Sequence, residues 1–143
     1  EYERAIELNP NDANSHAERG AIMNFSGQTD SAIRSLETSF RFNPHMRAKD
    51  YMQLGLAYYL KGRYEESLGT LERGLSWYPD YVFIHIPLAA AYAKAGRLQD
   101  ATRVAATIRR LHPFFEVDSF GNAFIDPAHR ASIADGLRKA GFQ

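Results

Sequence analysis

Apolar residues recur along this chain at helical spacing. Tyr64, Leu68, Leu71 and Leu75 share one helical face, while Arg63, Glu65, Glu66 and Arg73 occupy another, the pattern of a helix with one side in a core and the other in water. Stretches of this kind, punctuated by glycine and proline, predict helices near 13–26, 29–42, 48–61, 64–77, 81–95 and 98–111. Glu1 to Leu8 reads as the second helix of a unit whose first helix is missing, and residues 127 to 140 as a closing helix with Ile133 and Leu137 on one face. The expected fold class is all-α.

The punctuation is periodic. Prolines stand at Pro10, Pro44, Pro79 and Pro113, with spacings of 34, 35 and 34. Between them lie Gly20 and Gly27, Gly55 and Gly62, and Ala89 and Gly96, each pair seven apart. Ala32, Ser67 and Ala101 follow five residues later, then Leu36, Leu71 and Ala105 after four more. Each unit therefore reads as two helices: the first carries a small residue where its partner crosses closely, and glycine ends it in a left-handed turn. Proline stops the second helix.

These residues resemble the tetratricopeptide repeat. The second unit carries the pattern best, with Tyr51, Leu54, Gly55, Tyr58, Gly62, Tyr64, Ser67, Leu71, Gly74 and Pro79. The first departs with His16 at the large position and Arg19 in place of leucine, which predicts looser packing; the third departs with Ile108 at a small position and with Pro87 inside its first helix, which predicts a kink. The resemblance implies a right-handed superhelical solenoid of antiparallel helix pairs ending in a C-terminal capping helix. It forms one domain over 1–143: the end of a truncated repeat at 1–10, repeats at 11–44, 45–79 and 80–113, and a capping segment at 114–143. Phe114, Phe115, Phe120 and Phe124 make that segment too apolar for a free linker. It is expected to fold back over Ala101, Val104, Ala105 and Ile108, or to enter the groove beside them. The tail, RRLHPFF followed by DPAHRASIADGLRKAGF, is similar to the C-terminal ends of bacterial signalling proteins whose repeats follow an adenylate or guanylate cyclase domain, or a winged-helix regulator.

Composition narrows the function classes. Seventeen Lys and Arg balance seventeen Asp and Glu, so there is no positive excess for a nucleic-acid backbone. The absence of cysteine excludes disulfides and thiolate chemistry and accords with a cytoplasmic location. The longest apolar run, Tyr81 to Ala93, holds His85 and Pro87 and is too short to cross a bilayer. The chain opens at EYERAIELNP without methionine, and the expectation is a fragment of a longer protein.

No catalytic or cofactor motif appears. His16, His45, His85, His112 and His129 include no pair four apart that would aim two imidazoles at one metal. Arg109, Arg110 and His112 suit the negative end of a helix dipole, and Trp77, Tyr78 and Tyr81 are expected in the core between repeats. No enzyme, metal or cofactor is expected within the chain.

What the resemblance implies instead is a partner-binding inner surface. Family positions place there Asn14, Ala17, Ala21 and Asn24, then Lys49, Met52, Leu56 and Tyr59, then Phe83, Ile86, Ala90 and Ala93. Only Lys49, Asn14 and Asn24 could imitate the clamp by which some members grip a chaperone's terminal carboxylate. A largely apolar groove suits a hydrophobic peptide or an amphipathic helix of another protein. Its other candidate occupants are the chain's own tail and a second copy, the latter forming a homodimer.

Overall fold

The computed structural model describes residues 1–143 and is wholly helical. Its helices are α1 (Tyr2–Leu8), α2 (Ala13–Phe25), α3 (Thr29–Phe42), α4 (Ala48–Leu60), α5 (Tyr64–Trp77), α6 (Val82–Lys94), α7 (Leu98–Leu111), α8 (Val117–Gly121) and α9 (Pro127–Lys139). None is long and apolar enough to cross a membrane. The pairs α2/α3, α4/α5 and α6/α7 stack in order, so that α3 packs on α4 and α5 on α6, and one apolar core runs through the stack. Seen from one side, the first helices of the pairs form an inner layer.

Each pair is set by two features. The first is the turn: Gly27, Gly62 and Gly96 have φ of 83°, 75° and 82°, the left-handed region open to glycine. The next amide then reaches back five residues, from Gln28 to Met23, Arg63 to Tyr58 and Arg97 to Tyr92, each at 2.9 Å, closing the helix end in a Schellman motif. The second is the crossing. A β-carbon on Gly20 would stand 2.5 Å from Leu36 Cγ, and one on Gly55 would stand 2.3 Å from Leu71 Cγ. In the third pair the equivalent positions hold Ala89 and Ala105, both fully buried, so bulk is shared between the partners there.

Successive units are clasped through the closing prolines. His16 Nε2 donates to the Pro10 carbonyl at 2.7 Å and His85 Nε2 to the Pro79 carbonyl at 2.8 Å, while the Tyr51 hydroxyl donates to Pro44 at 3.3 Å. His16 is also buried beside Phe42, and Arg19 donates to Ser35, which donates to the His16 carbonyl. Polar bonds thus replace the expected looseness of the first unit. Pro87 does not interrupt α6; it removes only the bond its nitrogen would have made to the Phe83 carbonyl. Trp77 is not core between repeats: it is 57% exposed and stacks on His45, with ring centroids 4.2 Å apart.

The tail departs from the stacking order. Asp126 caps α9 by accepting from the Ala128 amide at 2.8 Å, and Gly141, at φ 112°, ends it. Yet α9 packs on α6 and touches α4, on the inner layer, where another repeat would have stacked on α6 and α7 together. Ala101, Val104, Ala105 and Ile108 of α7 are buried, but the helix α7 packs on is α6, so α9 does not take the first of its two expected placements, over α7. The fold-back takes the groove. The one-turn helix α8, too short to show a sequence period, leads into it.

Candidate functional site

The inner layer divides into three zones. At its first end α2 and α4 present a polar rim: Lys49 and Arg47 both meet the carboxylate of Glu18, at 2.5 and 3.1 Å. Arg47 turns also to Asp50, whose carboxylate accepts from the Arg47 amide at the start of α4. Partial burial works to raise the Glu18 carboxyl, but Lys49 and Arg47 together outweigh it and hold the group below its ordinary value. Asn14 and Lys49 are exposed here, Ala21 is half-buried, and Ala17 is buried. Asn24 is fully buried too, and its amide is spent on Gln53, donating to the carbonyl and the side-chain oxygen at 2.9 Å each.

At its far end the groove is occupied by the chain itself. The Tyr59 hydroxyl donates to the Ser132 carbonyl of α9 at 2.5 Å, and burial raises its pKa above the ordinary phenol range. Gly136 sits where a β-carbon would be 2.4 Å from the Tyr59 oxygen and 2.8 Å from the Ala90 β-carbon. Lys94 pairs with Asp135 at the edge. Leu56, Ile86 and Ala90 are fully buried and Ala93 nearly so. Seven expected groove residues, Ala17, Asn24, Leu56, Tyr59, Ile86, Ala90 and Ala93, therefore offer no free side chain in this arrangement, and Met52 keeps only 7% of its surface exposed. The reason at the far end is that α9 covers apolar surface the repeats would otherwise show to water.

Between rim and tail an aromatic pocket of about 390 Å³ stays open. Met52 and Phe83 line it, as the inner-face positions imply, joined by Tyr81 and by Phe25 from the end of α2. Its other wall comes from His112 at the end of α7 and, from the tail, Phe115, Ser119, Phe120 and Ala123. The tail is anchored alongside by Phe124, fully buried 5.2 Å from Phe25, and by the Ile125 amide, which donates to the Phe25 carbonyl at 2.9 Å. Phe83 remains 43% exposed. Repeat positions could not identify the tail's share of this wall; the only sequence signal was the density of phenylalanine after Pro113. Nowhere do three His, Asp or Glu side chains converge on a metal-sized site.

Residues 1–34 and 50–81 each match a family model described as tetratricopeptide repeat. The chain is 31% identical over 109 residues to the small glutamine-rich tetratricopeptide repeat-containing protein 2 of Mycosarcoma maydis, a match covering 76% of this chain and 31% of that protein. It thus spans about a third of that curated relative's length. Among solved structures, MamA superposes with a TM-score of 0.74 at 20% identity, covering 97% of this chain and 82% of MamA. YrrB, described as a TPR protein with an unusual peptide-binding site, reaches 0.70 at 19%, covering 97% and 72%. The pilF protein of Pseudomonas aeruginosa reaches 0.72 at 16%, covering 99% and 67%. At these identities the likeness to the solved structures is one of fold. Repeat spacing, Schellman turns, glycine crossings and these matches agree: the chain carries tetratricopeptide repeats, stacked as the helical solenoid of MamA, YrrB and pilF.

Proposed function

We propose that this chain is a protein-interaction scaffold that receives an apolar side chain, carried on a partner's peptide or amphipathic helix, in the open mouth of its inner layer. The observation that carries this reading is the aromatic pocket, in which the exposed Phe83 stands beside Met52, Tyr81 and Phe120. Repeat solenoids bind through their concave faces, and the fold neighbour YrrB is described as having a peptide-binding site. The lining suits an aromatic or long aliphatic side chain, and the ion-paired rim of Glu18, Arg47 and Lys49 offers polar contacts to the partner's flank. Neither catalysis nor a cofactor enters this reading.

The wider setting we propose is the regulatory C-terminal part of a larger bacterial signalling protein, such as a nucleotide cyclase, in the cytoplasm. That proposal rests on the tail resemblance alone. Panning a displayed peptide library against the chain tests the binding reading: sequences with a large apolar anchor should be enriched, and enrichment should vanish for the Met52→Asp/Phe83→Asp variant. Equal enrichment on both proteins would move binding away from this pocket. Self-association is the second reading, favoured by Trp77 and by Phe114, which is 88% exposed. Light scattering separates the two, since a concentration-independent monomer removes it.

A further inference from the structure

The residues that meet across α9 describe a ligand. Tyr59 bonds a main-chain carbonyl, that of Ser132, which every helix has to offer. Side-chain selection falls instead to three features. Gly136 lies on Tyr59 and Ala90 so closely that a β-carbon would stand 2.8 Å from the Ala90 β-carbon and 3.2 Å from its α-carbon. Only glycine lets a helix sit this deep. One residue earlier, Asp135 meets Lys94, and Ile133 and Leu137, on either side, are fully buried. The seat therefore reads Ile-x-Asp-Gly-Leu on a helix.

The helix that fills it has little strength of its own. It is 13 residues long with glycine in its interior, a length and composition marginal for an isolated helix. Of its charged contacts, Arg138–Asp118 is at the surface, where an ion pair contributes little, and only Lys94–Asp135, with the lysine side chain 18% exposed, is partly sheltered. Toward the linker from α7 it is held by α8, and beyond its end by Arg109, which donates to the Gly141 carbonyl at 2.7 Å and lies over the Phe142 ring.

We infer that α9 is a built-in, displaceable occupant of a helix-binding seat, and that the external occupant is a helix of another protein carrying an acid–glycine pair between two aliphatic residues. This rests on reading the inner layer as a binding surface, but it concerns the end of the groove opposite the open pocket. A seated tail lowers the apparent affinity for such a helix by the fraction of time the seat is free.

The test uses the full chain and, as probe, a labelled peptide of residues 126–143, followed by fluorescence anisotropy. Gly136→Leu should unseat the chain's own α9 while leaving the seat intact. The peptide should then bind that variant about tenfold or more tighter than the parent chain. A peptide carrying Gly136→Leu should not bind. A peptide carrying Asp135→Lys should bind weakly and recover on a chain that carries Lys94→Asp together with Gly136→Leu. If Gly136→Leu does not fold, the surface change Asp135→Lys in the full chain serves as the unseating variant. A folded variant that ignores the peptide, or binds the native and Gly136→Leu peptides alike, overturns the proposal; so does a parent chain that dimerises by exchanging tails, since the occupant is then a second copy. The 126–143 peptide carries none of the residues that line the open pocket, so this assay reads the seat alone while the library panning reads the pocket, and the two proposals fail separately.

Discussion

Gly55 lies against Leu71 so tightly that a β-carbon on the glycine would stand 2.3 Å from both Cγ and Cδ2 of the leucine. The branch point of a buried side chain cannot swing aside, so Gly55→Ala should overpack the crossing and cost about 1–3 kcal/mol. The third unit shows the remedy, because Ala89 and Ala105 occupy the equivalent positions. Adding Leu71→Ala to Gly55→Ala should therefore cost less than the sum of the two single changes, as read from a double-mutant cycle in urea. Additive costs would mean that the two residues do not share the space.

That pair also shows what was legible in the sequence. Crossings and turns recur at fixed offsets, since each is imposed by backbone geometry that only a small residue or glycine can meet; the three helix pairs follow almost to the residue. The Met52 and Phe83 share of the pocket follows from the same register. What did not follow depends on contacts distant in sequence. His16 and His85 occupy large positions, but their bonds to proline carbonyls six residues earlier are visible only in three dimensions. The seating of α9 on α6, and hence the covering of Tyr59 and Ala90, depends on where a non-repeating tail goes, and no period governs that.

His85→Leu keeps most of the side chain's bulk and removes the donor to the Pro79 carbonyl, bonded at 2.8 Å. Losing a partly buried hydrogen bond while leaving its acceptor unpaired costs about 1–3 kcal/mol. His85→Gln, which retains a donor, should recover part of that. Chemical denaturation of the three proteins checks the order, and equal stability of parent and leucine variant would remove the clasp between units as a stabilising feature.

A chain ending at Pro113 should lose the cover that α9 gives to Leu56, Tyr59, Ile86 and Ala90, all fully or nearly buried with the tail in place. The melting temperature should fall by roughly 5 °C or more, with increased binding of an apolar dye. The repeats themselves should keep their helicity, because their pair contacts do not pass through the tail. A truncated chain that melts like the parent and binds no more dye would make the tail dispensable to the stack.

Acid should loosen the tail in a way that can be assigned to one carboxyl. The Asp135 carboxyl is held below its ordinary value of 3.8, first by its hydrogen bond from Lys94; burial opposes this as the next largest cause, and the charges of Lys94 and Lys139 tip the balance downward. A carboxyl depressed in the folded chain contributes stability above its unfolded pKa and loses it as the pH falls through the folded one. The parent should therefore be more stable than Asp135→Asn at neutral pH, with a difference that holds above the ordinary carboxylate range and closes as the pH falls through that range and below it. Because Asp135 is exposed to solvent, added salt should shrink the same difference at neutral pH. Amide exchange at Gly136 and Leu137 reports it locally, free of the carboxyls elsewhere in the repeats. A difference that persists undiminished at low pH would mean that the asparagine acts through shape and that Lys94 does not hold α9 by charge.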